Sequence, residues 1–292
     1  LAKILKLRKR DMMRQSSWGC TIFIQLSLCL VVYVSLHLGH PFLFSSDDGD
    51  NAGALDLHFI SVAGGFRPLR RQTRLLRLME RVAETYKAKF VVSTSEHGEE
   101  DPLLQNATRV SSSLKLPWYS KKKGSGNFRE HIKLPFGGFL DVIFVETGSL
   151  QQEILGGALN GSMISQLKGL TRILKAADGD WRILVGSSTV NKRPDEAKGV
   201  SRTFLQIMTK YGVNLYISEK ARTSGASDNS FSCITVPNQS ENRGSLNDSK
   251  REMEDGFLLH RVSFSEFVTY TISLSGQVID TRLVKQKGKE AI

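Results

Sequence analysis

The sequence predicts an α/β domain, and three patterns lead to that class. Short runs rich in Val, Ile, Leu and Phe recur along the chain, stretches of helical periodicity lie between them, and each apolar run passes directly into a loop. Runs that are apolar at nearly every position belong to strands covered on both faces, which calls for helices on either side of a sheet.

Taken in order, Leu57–Val62 reads as the first strand, and the Gly64-Gly65 turn leads into a helix over Leu69–Lys87. In that helix Leu75, Met79, Val82 and Tyr86 share one face, with Arg and Glu on the other. Phe90–Ser93 and Asp141–Thr147 read as further strands. Ser162–Ala177 places Met163, Leu167, Leu170 and Leu174 on one helical face and is followed by a strand over Trp181–Val185. Ser201–Lys210 reads as a helix, Gly212 as the residue after its end, and Val213–Ser218 as the next strand. Phe257–Phe264 and Phe267–Leu274 read as an antiparallel pair with a turn near Ser275-Gly276. The stretch 223–255 is rich in Ser, Asn, Asp and Gly and reads as an exposed, flexible loop.

The N-terminus is of a different kind. Trp18–Leu38 holds 21 positions without a formal charge, long enough for the ~20 residues of a bilayer span, and no small-x-small cleavage site follows it. Lys3, Lys6, Arg8, Lys9, Arg10 and Arg14 precede the stretch, and Asp47, Asp48 and Asp50 follow it. By the positive-inside rule the expected arrangement is a single-pass type II anchor. It has a cytosolic basic tail over 1–17, a transmembrane helix over 18–38 and a linker over 39–54. The domain over 55–286 is then lumenal or extracellular. Of the net charge of +11, the first fourteen residues carry +5. The high pI of about 9.6 therefore describes the tail as much as the domain, and no nucleic-acid partner is expected. Four glycosylation sequons, at Asn106, Asn160, Asn238 and Asn247, fit a lumenal domain. Cys20 and Cys29 lie in the apolar stretch, so Cys233 has no partner for a disulfide within the domain and reads as a buried structural thiol.

The strand-to-loop junctions carry the functional signal. They read FISVAGGFR from Phe59, AKFVVSTSEHG from Ala88, LPWYSKKKGSGN from Leu116, DWRILVGSSTV from Asp180 and YGVNLYISEKARTSG from Tyr211. In order, spacing and flanking text, together with GFLLHRVSFSEFVTYTISLSGQVIDTR from Gly256, they resemble the calcineurin-like metallophosphoesterases over about Leu57 to Lys285. The pattern is nearest to the small purple, tartrate-resistant acid phosphatases. The resemblance implies an αββα sandwich and, in an active member, a dinuclear Fe, Zn or Mn centre that generates a nucleophile from a bridging water.

Such a centre needs carboxylates, imidazoles and an amide. Here Gly64 stands where the first Asp belongs, and Ser95-Glu96-His97 stands for Gly-Asp-Asn. Gly124 replaces the ligand Asn and Ser125 the catalytic His; in the fourth motif Gly186 is kept and Ser187 replaces the His; Lys220 and Arg222 replace the two final imidazoles. Only Glu96 keeps a ligand type, and cations at metal positions repel a metal. The expectation is a protein without metal or other cofactor, catalytically inactive, with a binding or scaffolding role. Two alternatives stay open: an acid phosphatase or phosphodiesterase rebuilt around Glu96 and His97, or a metal-free binder of a phosphorylated ligand through Lys121, Lys122, Lys123, Lys220 and Arg222. His40, His58, His131 and His260 show no metal-ligand spacing, and Ser187 and Ser188 have no identifiable base.

Overall fold

The computed structural model describes residues 22–30, 56–95, 97–110, 114–121, 126–147, 161–187, 199–219, 232–238 and 255–286. The chain divides into two units, Leu1–Asp50 and Asn51–Ile292. In the first, residues 22–30 form a helix (α1) exposed along its length. At 1.5 Å per residue this stretch rises about 14 Å, half of a ~30 Å hydrocarbon core. No helix among the described residues is long and apolar enough to cross a membrane, and the rest of the expected span 18–38 lies outside them, as does the linker 39–54.

The second unit is built from β1 (Leu57–Val62), α2 (Leu69–Tyr86), β2 (Val91–Ser93), α3 (Pro102–Val110), β3 (Trp118–Tyr119), β4 (Phe128–Lys133) and β5 (Phe139–Phe144). It continues with α4 (Gly161–Ala176), β6 (Trp181–Gly186), α5 (Gly199–Lys210), β7 (Leu215–Ser218), β8 (Ser232–Thr235), β9 (Gly256–Val262), β10 (Glu266–Ser273) and β11 (Val278–Lys285). Two mixed sheets result, one in the order β11-β10-β9-β1-β2-β3 and the other β4-β5-β6-β7-β8. In the first, β1, β2 and β3 are parallel; in the second, β5 through β8 are parallel.

Three apolar clusters order these layers. Phe59, Phe90, Val92 and Leu258 of one sheet meet Val142, Phe144, Trp181, Ile183 and Ile217 of the other. On the opposite face of the first sheet, Ile60, Val62 and Leu259 pack against Leu75, Met79 and Val82 of α2 and Leu103 of α3. On the second, Ile143, Leu184 and Tyr216 pack against Met163, Leu170 and Leu174 of α4 and Phe204 and Met208 of α5. The continuous apolar runs are thus strands with a helix on one side and a sheet on the other. Two polar bonds cross between the sheets: Trp181 Nε1 donates to the Ser263 carbonyl at 3.1 Å, and Gln286 Nε2 to the Asp180 carbonyl at 2.8 Å.

Several expectations shift. The strand foreseen over Asp141–Thr147 starts at Phe139 and ends at Phe144, because Glu146 N turns to the Asn127 side chain at 3.2 Å. The strand foreseen from Val213 begins at Leu215, since Val213 N closes the α5 terminus on the Met208 carbonyl at 3.0 Å. The hairpin strand stops at Val262 because Ser263 N and Oγ both bond the Glu266 carbonyl, which leaves Phe264 in the turn. Within the stretch expected to be a loop over 223–255, Ser232–Thr235 forms β8, bonded to β7. Cys233 on that edge strand is half-buried and packs against the outer cluster of α4 and α5, so it is less enclosed than foreseen. Strands β3, β4, β8 and β11 and helix α3 carry weak patterns because they are short, charged or at an edge.

His260 is a satisfied core histidine. It is fully buried on β9, stacks on Phe59 with centroids 4.4 Å apart, and bonds Thr269 Oγ1 and Ser61 Oγ at 2.9 Å each. Burial lowers its pKa to about 3, and the half-buried His58 is lowered to about 4 for the same reason, with Arg261 adding repulsion. Between pH 6.5 and 3 the unfolded chain therefore takes up protons that the folded His260 refuses. The stability this represents is complete above about pH 6.5 and is lost as the pH falls towards 3, with about 2 kcal/mol gone at pH 5. Urea unfolding across pH 7.5 to 5 should show a steeper loss in the wild type than in His260→Gln by that amount. Equal slopes would assign the acid lability elsewhere.

Candidate functional site

The carboxyl ends of both parallel blocks converge. Ser93, Thr94 and Ser95 after β2 and Lys121 after β3 face Phe144 and Val145 of the β5 end and Val185, Gly186 and Ser187 of the β6 end. Clefts at strand carboxyl ends are where open α/β sheets hold ligands. Here the enclosed space is about 10 Å³ among the described residues, room for about one water. Its walls are hydroxyl-rich. Thr147 Oγ1 and Ser187 Oγ lie 3.3 Å apart, and Thr94 Oγ1 is buried with no partner among the described residues.

At the first junction, Gly64 holds the position where the resemblance expects an Asp. A Cβ at Gly64 would collide with Asp101 Oδ2, Ser95 Cβ and Ser95 Oγ. The Asp101 carboxylate fills that place and is itself saturated by the protein. Its Oδ2 accepts from Gly65 N at 2.7 Å and Ser95 Oγ at 2.5 Å, and its Oδ1 accepts from Leu103 N at 2.8 Å. Asp101-Pro102 is a helix start, with Asp101 as cap and Pro102 in the first turn of α3, so this residue was readable as a cap but not as an occupant of the cleft. His97, in turn, donates its main-chain N–H to Ser95 Oγ at 3.1 Å and leaves its side chain in solvent.

The loop after β1 is tied from behind by Arg67, which is 4% exposed. Its Nη1 donates to the Ala63 carbonyl at 3.0 Å and to the Gly64 carbonyl at 3.2 Å, and its Nε pairs with Asp255, 0% exposed, at 3.2 Å. A fixed guanidinium thus holds the junction together from the sequence-distant start of β9. The Arg67–Asp255 pair has no local sequence signal, since the partners are 188 positions apart.

At the fourth junction Gly186 is kept for packing: a Cβ there would come within 2.6 Å of the Tyr216 hydroxyl and 2.9 Å of Thr147. Burial pushes the Tyr216 phenol well above its usual range. Lys121 Nζ pairs with Glu146 at 3.3 Å, so its charge at the cleft mouth is partly answered. Glu219, after β7, accepts from Asn238 Nδ2 at 2.6 Å, which engages the nitrogen of that sequon; Asn106 sits half-buried on α3. Glu96, Lys122, Lys123, Gly124, Lys220 and Arg222, and the sequons Asn160 and Asn247, lie outside the described residues.

Among the described residues the junctions do not present the donor set of a dinuclear metal centre: they offer Gly64, the exposed His97 and Ser187, and the nearby carboxylate of Asp101 is held by protein donors. A second cluster lies elsewhere and was not foreseen: His131 Nδ1 is 2.7 Å from Asp141 Oδ1 and 3.9 Å from Asp178 Oδ1. The Arg129 guanidinium sits against both carboxylates, 3.6 Å from Asp141 and 3.1 Å from Asp178. It occupies the role a cation would take.

No protein-family model matches the chain, and no curated protein aligns with it. Among solved structures it is similar to GAP50, described as the anchor in the inner membrane complex of Plasmodium, with 19% identity and a TM-score of 0.59 over 81% of this chain and 90% of that one. Weaker overlaps are with PhoD, at 8% identity and a TM-score of 0.44 over 79% of this chain and 68% of that one. The calcineurin-like phosphoesterase YfkN from Bacillus subtilis overlaps at 9% identity and a TM-score of 0.34, over 82% and 93%. The chain therefore shares its mixed α/β sheet fold with GAP50.

Proposed function

We propose that this chain is a membrane-anchored protein of the phosphoesterase-like fold that binds or scaffolds and does not hydrolyse. One observation carries the reading. The place of the first metal-binding carboxylate is a glycine whose side-chain space is taken by Asp101, and Asp101 has its oxygens satisfied by Gly65, Ser95 and Leu103. A carboxylate so held is a poor ligand, because coordination would strip it of three protein hydrogen bonds. The order of the five junction motifs supports descent from purple acid phosphatase-like proteins, with no metal or other cofactor retained. The apolar stretch 18–38 with its basic flank supports the anchor, in a type II orientation with the domain lumenal or extracellular, where the sequons could be glycosylated. GAP50 is described as an anchor in a membrane complex, and a comparable anchoring role is part of this proposal.

Two competing readings are weaker on the same observations. A hydrolase rebuilt around Glu96 and His97 needs further metal ligands beside His97, and the group of described residues that could hold a metal does not include it. A metal-free phosphate site through Lys121–Lys123, Lys220 and Arg222 has its one described cation, Lys121, already paired with Glu146. The deciding experiment is metal analysis of the purified full-length chain with turnover of a generic phosphomonoester at acid pH. The expected result is substoichiometric metal and no turnover. Stoichiometric metal with turnover abolished by Glu96→Ala would overturn the proposal. Thermal stabilisation by inorganic phosphate that vanishes in Lys220→Ala/Arg222→Ala would instead favour the phosphate binder.

A further inference from the structure

The longest open sheet edge among the described residues is β11, and its sequence is complementary to itself. The other edges are β3 with two residues, β8 with four, and β4, which presents Arg129, Glu130, His131 and Lys133. Short strands and charged side chains are how edges are kept from pairing. β11 is eight residues long and holds no proline or glycine; beside its charges Asp280, Arg282 and Lys285, its Val278, Ile279 and Leu283 are 38%, 42% and 51% exposed.

The direction of its free backbone groups follows from the ladder to β10. Gln286 N donates to the Ser265 carbonyl at 2.9 Å. Counting in twos along an antiparallel pair, Val284, Arg282 and Asp280 face β10, whereas the N–H and C=O of Leu283 and Thr281 point away from the sheet. The irregularity at Thr271/Ile272 leaves Ile279 without a counterpart in β10, so the Asp280–Val284 segment is regular.

We propose that β11 pairs antiparallel with β11 of a second copy of this chain, about a two-fold axis at Thr281. The two Thr281 residues then face each other, and each N–H donates to the other's carbonyl. In this register Asp280 lies opposite Arg282 of the second copy, Ile279 opposite Leu283, and Val278 opposite Val284, so these pairs flanking Thr281 match charge with opposite charge or apolar with apolar. Moving the axis by one residue sets Asp280 against Asp280 or Arg282 against Arg282, which disfavours both neighbouring registers. Within one chain Arg282 Nε already lies 2.9 Å from Asp280 Oδ2, so the two charges share a face and form a four-member cluster on pairing. The interface is isologous and closes at two copies.

The test is the mass of the full-length chain in detergent, measured by analytical ultracentrifugation over a range of concentrations. A concentration-dependent dimer is expected. Asp280→Arg should raise its dissociation constant by about tenfold or more, since it sets like charges face to face, and Asp280→Arg/Arg282→Asp should restore it. Thr281→Pro removes an outward N–H without touching the ladder to β10, so it should abolish the dimer and leave thermal unfolding near that of the wild type. If Thr281→Pro fails to fold, the single and double charge changes decide the matter by themselves. A monomer at every concentration, or a dimer indifferent to Asp280→Arg, would overturn the proposal; the latter would assign association to another surface such as the apolar stretch 18–38.

Discussion

Replacing Arg67 by Ala should lower the unfolding free energy by about 3–5 kcal/mol, the range for a buried ion pair that loses one partner. Asp255 is left fully buried with its charge unanswered, and the carbonyls of Ala63 and Gly64 lose their donor. Removing both partners in Arg67→Met/Asp255→Leu should recover part of that loss, because two apolar groups of similar volume leave no orphaned charge. Urea unfolding of the three proteins measures it. If the single variant costs less than about 1 kcal/mol, the pair does not hold the junction and the loop after β1 is fixed by its packing alone.

Gly64→Asp restores, in sequence, the residue that the phosphoesterase pattern requires, yet it should fail to restore a site. The new side chain must enter space held by Asp101 and Ser95, which demands overpacking in a closed region and sets a second carboxylate against the first. A loss of about 3 kcal/mol or more is expected, with Gly64→Ala giving the steric share alone. Titration with Mn²⁺ or Zn²⁺ should show no saturable binding at the junction. A Gly64→Asp protein as stable as the wild type that binds metal at one equivalent would mean that Asp101 yields readily and that the lost centre is one substitution from recovery.

Much of the fold is legible along the chain because its signal is local. Leu75, Met79 and Val82 repeat at the helical period and become the buried face of α2; Met163, Leu170 and Leu174 do the same for α4. Val62, Val92, Val185 and Ile217 lie in apolar runs and become strands covered on both faces. Elements with no such repeat escape. β4 reads Phe-Arg-Glu-His-Ile-Lys, and β11 is exposed over nearly all its length, so neither offers a buried face for periodicity to mark. The site is legible in the same uneven way. The absent ligands at Gly64 and Ser187 can be read one position at a time, but the groups that took over the space cannot. Asp101 reaches Gly65 across 36 positions, Asp255 reaches Arg67 across 188, and Tyr216 reaches Gly186 and Thr147 from a neighbouring strand.

The sequence by itself therefore determined an α/β domain with buried strands, an apolar N-terminal stretch with basic residues before it, and the residue types at the strand ends, Gly64 and Ser187 among them, where the phosphoesterase resemblance expects carboxylates and imidazoles. Those properties are periodicity, charge placement and residue identity, all of which are local. The tertiary structure alone decided what stands at these strand ends: a carboxylate held by three protein donors, a guanidinium tying the β1 loop to the start of β9, and space for about one water among the described residues. The physical reason is that satisfying a buried polar group depends on which distant atoms come within 3 Å of it, and only the packing of the two sheets brings them there.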